Sequence, residues 1–135
     1  MKISIITVVK NDERNIFSTL LSVKKQRYKN YEHIVIDGKS DDSTLSIIKT
    51  FKNKKLKYFS KKDKNLYQAL NRGIKKSSGK YIGVLHSGDK FFSTSTLSII
   101  SRNIKNYDLL SGNIIFIKKK KKNRIWNYKV NKFNK

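Results

Sequence analysis

The sequence predicts an α/β fold, a three-layer sandwich with a mostly parallel sheet between helices, and three observations predict it. Short β-branched apolar runs alternate with stretches of helical apolar spacing in the order βαβαβαβα. Each connection is long enough to hold the crossover helix that parallel neighbours require. The chain has 135 residues with no Cys and no Pro, the length of one domain whose core must stand on packing rather than on disulfides or thiolate zinc.

The first run, residues 2–9 (KISIITVV), has the continuous apolar character of a strand covered on both faces. It stops at Lys10-Asn11. Asn11 is the expected N-cap of a helix with Asp12 and Glu13 in its first turn and with Ile16, Leu20 and Val23 at helical spacing as far as Gln26. Tyr31–Asp37 reads as the second strand. Ser40 is expected to cap a helix whose Leu45, Ile48 and Phe51 share a face, with Asp41 and Asp42 at its positive end. Leu56–Ser60 is a third, shorter strand, and a helix from about Leu66 to Ser77 follows a polar loop. Lys80–His86 is the fourth strand, and Ser93 or Thr94 opens a helix carrying Leu97, Ile100 and Ile104. Asp108–Ile117 and Arg124–Tyr128 are candidate strands flanking the Lys118–Lys122 run.

The formal charge is +23, from 32 Lys plus Arg against 9 Asp plus Glu. Such a field attracts polyanions, but it has a simpler source. Lys (27), Ile (17) and Asn (13) dominate the composition, as A/T-rich codons would have it. Residues 1–48 carry eight bases and six acids, whereas residues 49–135 carry 24 bases and three acids. Any electrostatic function therefore belongs to the second part. No apolar run reaches the ~18–20 residues of a membrane span, and the apolar run at the N-terminus is short for a signal peptide. The expectation is a soluble, cytoplasmic protein.

In open parallel sheets, ligands bind beyond the carboxyl ends of the strands. Three of the nine acids, Asp37, Asp63 and Asp89, fall just after the predicted ends of strands two, three and four. Carboxylates converging there can hold a divalent cation or accept hydrogen bonds from a base or ribose. Lys64, Arg72 and Lys90 can offset a diphosphate. Mg²⁺ needs few protein ligands when a diphosphate supplies the others. The competing reading is that each Asp caps the following turn or helix.

Four segments in order, ISIITVVKND, HIVIDGKSDDST, KKDKNLYQALNRGIKKSSGKYIGVLHSGD and DLLSGNIIFI, together resemble the family 2 glycosyltransferases of the GT-A fold, a Rossmann-like sandwich. The resemblance runs from residue 2 to about residue 118. It implies transfer of a sugar, with inversion, from a nucleotide-diphosphate-sugar donor to a saccharide or lipid-linked acceptor in cell-surface polysaccharide synthesis. It places Thr7, Val9, Asn11 and Glu13 on the lip that holds base and ribose, and Asp37 on the nucleoside. Many members have a second Asp where this chain has Gly38, and the Asp-Gly form resembles a colanic-acid-transferase-like subgroup. The third segment matches that subgroup's block at Asp63, Tyr67, Ala69, Asn71, Gly73, Gly79, Tyr81, Ile82, Ser87, Gly88 and Asp89. It departs from it at Asn65, Gln68 and His86.

By the resemblance Asp89 is the ligand of a Mg²⁺ or Mn²⁺ cofactor. Asp63, Lys64, Asn71, Arg72 and Ser87 complete the donor site. His86 stands where an Asn or Asp is usual; it is either a metal neighbour or a strand-end residue bonded to backbone, and imidazole suits Mg²⁺ poorly. An inverting transferase also needs a carboxylate base, and after Asp89 the chain has only Asp108, expected at the start of a strand. The sequence therefore resembles the donor-binding portion of such an enzyme, residues 1–117, followed by a basic hairpin or tail, residues 118–135. An inactive fragment or a basic binding module is the alternative.

The tail combines Lys118–Lys122 with Trp126, Tyr128 and Phe133. Cations with aromatics suit single-stranded nucleic acid or peripheral docking on the anionic inner face of a membrane. They suit equally a β-hairpin with a solvated Lys turn. No RNA-binding signature accompanies the charge, so the nucleic-acid reading rests on charge alone.

Overall fold

A computed structural model of the chain describes residues 1–110, 112, 114–118 and 121–126. The chain divides into two units, Met1–Ile99 and Ile100–Lys135. In the first, strand β1 (Ile3–Val9) leads to helix α1 (Ile16–Lys24), β2 (Tyr31–Asp37), α2 (Thr44–Thr50), β3 (Leu56–Ser60), α3 (Leu66–Lys76) and β4 (Tyr81–Val84). Helix α4 (Thr96–Asn103) follows. The four strands form one sheet in the order β3-β2-β1-β4, and every pairing is parallel. The α/β sandwich expected from the alternating periodicity is the fold observed.

The period-2 alternation of a strand explains how two helical layers share this sheet. Val9 and Val35 point to one face and pack with Ile16 and Leu20 of α1 and Ile48 of α2. Ile6, Ile34 and Ile36 point to the other and pack on Ala69 of α3. All seven residues of β2 are buried, as befits an inner strand covered on both sides. Each fully buried Ile contributes about 1.5–3 kcal/mol relative to exposure. Gly73 lets α3 sit close: a Cβ there would lie 2.6 Å from Ile6 Cγ2 and 3.3 Å from Ile36 Cγ1.

Polar groups buried in the sheet are tied in pairs and networks. His33 and Thr7, both fully buried, meet across β1 and β2 with Nε2 2.8 Å from Oγ1. Glu32 is buried at the opposite end of β2 from Asp37. It accepts hydrogen bonds from Ser4 Oγ and from the Ser78 N–H, both at 2.7 Å, and pairs with Lys2 at 3.1 Å and Lys57 at 3.3 Å. Burial alone would raise its pKa, but these hydrogen bonds outweigh burial and bring it to about 2.

Several boundaries differ from the sequence expectation, each for a local reason. Asn11 is no N-cap: its φ is 52°, the left-handed region that Asn tolerates, and the helix begins five residues later at Ile16 after Asn15. Ser40 likewise does not cap α2, which starts at Thr44; its hydroxyl turns back to Asp37 at 2.5 Å. The fourth strand is shorter than expected and ends at Val84. For α4, Ser93 Oγ accepts from the Ser95 N–H at 3.2 Å, so the expected capping residue acts just ahead of the helix. Asn65 caps α3 by accepting from the Gln68 N–H at 2.9 Å.

In the second unit, β5 (Ile114–Lys118) and β6 (Lys121–Trp126) pair antiparallel. The strand expected from Asp108 begins only at Ile114, and Asp108 is exposed ahead of it. Of the Lys118–Lys122 run expected as the turn, Lys118 ends β5 and Lys121 and Lys122 open β6; residues 119 and 120, like Tyr128 and Phe133, lie outside the described residues.

Candidate functional site

The carboxyl ends of β1, β2 and β3 come level because their parallel register aligns Val9 with Asp37 and Asp37 with Ser60. Asp37 is therefore flanked by the loops that leave two neighbouring strands. Its Oδ1 accepts from Ser40 Oγ and its Oδ2 from Ser60 Oγ, both at 2.5 Å, and the Ser40 N–H lies 3.2 Å from Oδ2. Ser40 Oγ in turn accepts from the Asn11 N–H at 2.9 Å. The Asn11 side-chain oxygen accepts from the Asp41 N–H at 3.0 Å. A continuous chain of hydrogen bonds thus joins the β1 lip to the β2 carboxylate, and each member fixes the next.

Asp63 and Arg72 complete the same edge. Arg72 Nη2 donates to Asp63 Oδ2 at 2.5 Å, to the Lys61 carbonyl at 3.1 Å and to the Asp37 carbonyl at 3.4 Å. One guanidinium on α3 therefore gathers the loop after β3 and the end of β2. Among the described residues its Nε is a buried donor without a partner. Lys64 and Asn71 are exposed beside this pair, and the Lys64 N–H donates to Gln68 Oε1 at 2.6 Å.

The third part is the turn after β4. His86, Gly88 and Asp89 are exposed, Gly88 has φ 92°, and the Asp89 N–H closes the turn on the His86 carbonyl at 3.0 Å. Ser87 Oγ donates to Asp12 Oδ2 at 2.6 Å, which ties the turn to the β1 loop. Among the described residues no three His, Asp, Glu or Cys gather into a cage, so the site fits only a cation that draws most of its ligands from a bound diphosphate. Asp89 stands exposed in this turn, with its carboxylate among the few acidic oxygens at the edge.

Of the lip residues, the structure separates two kinds. Asn11 and Glu13 are exposed, and Glu13 Oε2 accepts from the Ser43 N–H at 2.9 Å. Thr7 and Val9 are buried, at 0% and 3% exposure. Alternation turns both of these side chains into the core, whereas Asn11 and Glu13 stay at the surface.

Sequence reasoning missed four residues that hold this edge. Ser40 and Ser60 satisfy Asp37, Asp12 holds Ser87, and Thr19 on α1 bonds the turn at Gly88 and Asp89. The signals were a Ser in strand register with Asp37 and a Thr on the apolar stripe Ile16, Leu20, Val23.

The model of glycosyl transferase family 2 matches residues 4–135. A relative from Rickettsia bellii, named an uncharacterized glycosyltransferase, is 44% identical over 92 residues, covering 67% of this chain and 13% of its own length. The Escherichia coli UDP-Glc:alpha-D-GlcNAc-diphosphoundecaprenol beta-1,3-glucosyltransferase WfgD is 30% identical over 122 residues, covering 84% of this chain and 48% of the relative. Among solved structures, S. aureus TarS 1-349 in complex with UDP-GlcNAc superposes with a TM-score of 0.72 at 28% identity, over 77% of this chain and 31% of that one. A Pyrobaculum calidifontis mannosyltransferase complex shares the fold, with a TM-score of 0.71 at 19% identity over 77% of this chain and 32% of that one. This chain thus spans well under two thirds of the relatives it matches. With the parallel sheet, the polar carboxyl edge and a family match over nearly its whole length, the chain belongs to glycosyl transferase family 2.

Proposed function

We propose that this chain forms the donor-binding part of a glycosyltransferase that moves a hexose from a nucleotide-diphosphate sugar to a saccharide or lipid-linked acceptor, with inversion, in cell-surface polysaccharide synthesis. The observation that carries this reading is the convergence of Asn11, Asp37, Asp63, Arg72 and the Ser87–Asp89 turn at the carboxyl edge of one parallel sheet. The E. coli relative is named for a UDP-glucose donor and a diphosphoundecaprenol acceptor, and TarS has been solved with UDP-GlcNAc; both support the same chemistry here. The Asp37-Gly38 pair further favours the colanic-acid-transferase-like subgroup.

In this reading Asn11, Glu13 and Asp37 receive base and ribose. Lys64, Asn71 and Ser87 face the diphosphate. Arg72 holds Asp63, and its charge offsets that of the phosphates. Asp89, with His86 beside it, would hold Mg²⁺ or Mn²⁺, and the cation's role is to neutralise charge on the departing nucleoside diphosphate. The chain's own contribution is a preorganised, hydrogen-bonded edge that needs no rearrangement when charge develops. Among the described residues no helix is long and apolar enough to cross a membrane. A lipid-linked acceptor places the protein peripherally on the anionic inner face, where lysines contribute about 1 kcal/mol each.

Thermal-shift titration with UDP, GDP and dTDP, with and without Mn²⁺, tests the proposal. At least one nucleotide should raise the melting temperature, Mn²⁺ should increase the shift, and Asp89→Ala should abolish the Mn²⁺ increment. No nucleotide response together with single-stranded RNA binding of steep salt dependence overturns it.

A further inference from the structure

Thr19 lies on the inward face of α1 with no exposed surface, between Ile16, Leu20 and Val23. A hydroxyl on an apolar stripe costs stability unless it is paired. This one is paired twice outside its own helix, to consecutive residues of the turn after β4. Its Oγ1 accepts from the Gly88 N–H at 3.0 Å and donates to the Asp89 carbonyl at 2.9 Å. A second strap meets the turn from the β1 loop, where Asp12 Oδ2 accepts from Ser87 Oγ at 2.6 Å. Asp12 is itself fixed: its Oδ1 accepts from Asn15 Nδ2 at 2.6 Å and its N–H donates to Thr44 Oγ1 at 2.9 Å.

The turn needs such holding. Gly88 is at φ 92°, a region in which glycine is permissive and therefore soft. A Cβ at Gly88 would meet only Asn15 Cβ at 3.9 Å, so packing does not confine it. Main-chain torsions at residues 88 and 89 aim the exposed Asp89 carboxylate, and both residues are gripped by one buried hydroxyl on a rigid helix.

We propose that Thr19 and Asp12 form a clasp that positions Asp89 for its divalent cation, with Thr19 the positioning residue on the core side. The inference rests on Asp89 being the cation's protein ligand, as proposed above. Groups that orient a metal ligand without touching the metal change affinity for it by about 10–100-fold. The clasp acts on the cation and not on the nucleoside, because Asn11 and Asp37 are bonded through Ser40, independently of residues 86–89.

The full chain is titrated with Mn²⁺ at fixed UDP, and the melting temperature gives the half-saturating Mn²⁺ concentration. Thr19→Val keeps the shape and removes both hydrogen bonds; it should raise that concentration about tenfold or more and leave the shift by UDP alone unchanged. Thr19→Ser keeps the hydroxyl and should restore the wild-type value. Asp12→Ala cuts the second strap from a half-buried loop position and should raise the concentration in the same direction. If Thr19→Val does not fold, Asp12→Ala decides. A wild-type Mn²⁺ response in Thr19→Val, or in Asp12→Ala where that variant decides, overturns the clasp while Asp89→Ala abolishes the response. A Mn²⁺ response that survives Asp89→Ala overturns the metal reading and the clasp together.

Discussion

Arg72 reaches 2.5 Å from Asp63 Oδ2 while its Nη2 also touches the carbonyls of Lys61 and Asp37. The Asp63 side chain is 8% exposed and that of Arg72 19%, so this is a largely desolvated pair. Removing one partner of such a pair leaves the other charge uncompensated. Arg72→Ala should therefore lower stability by about 3 kcal/mol, and Asp63→Asn by less because the amide still accepts a hydrogen bond. Chemical denaturation of both variants checks the order.

Asp37 accepts from two serines, and Ser40 relays the contact to Asn11. Ser40→Ala cuts that relay and leaves Asp37 with one hydroxyl fewer. About 1–3 kcal/mol of stability should be lost, and nucleotide affinity should fall with it. Ser46→Ala, on exposed α2 surface, should change neither. Parallel melting and UDP titration of the two variants makes the comparison.

His33 gives the fold an acid sensitivity. Full burial depresses its pKa from 6.5 to about 3, so the native state holds the neutral ring. The stabilisation is present above the unfolded value of 6.5 and is lost as pH falls toward 3. Between pH 7 and pH 5 the wild type should lose about 2 kcal/mol through this group. His33→Gln should flatten that slope. Glu32 acts lower down: its pKa falls from 4.5 to about 2, so its share is present above 4.5 and disappears toward pH 2. Urea melts at pH 7 and 5 read His33, and melts of His33→Gln at pH 5 and 3 read Glu32.

Gly73→Ala places a methyl 2.6 Å from Ile6 Cγ2. The gain in helix propensity is below the cost of overpacking, about 1–3 kcal/mol. The variant should melt lower than wild type, whereas Gly112→Ala, with no atom within 4 Å of the new Cβ, should melt with it.

The second and third strands are legible to the residue, Tyr31–Asp37 and Leu56–Ser60, because short β-branched or aromatic stretches bounded by polar residues have few alternative readings. Helix starts were less legible. Asn11 and Ser40 have capping chemistry, but the same short polar side chains bond equally well across a loop. Their partners, Asp41 and Asp37, were settled by the parallel register and not by local preference. The resemblance sets Thr7 and Val9 on the lip, and strand alternation buries both side chains.

By itself the sequence determined the layer order, the parallel sheet and the edge at which carboxylates collect, because periodicity and chain order are local properties that survive without coordinates. Tertiary structure decided what each polar group does there. Asp37 is satisfied by two serines, Arg72 is turned onto Asp63, and Thr19 spans 69 and 70 residues to grip Gly88 and Asp89. A hydrogen bond depends on distances of a few tenths of an ångström between atoms far apart in the chain, and only packing of the helices against the sheet sets those distances.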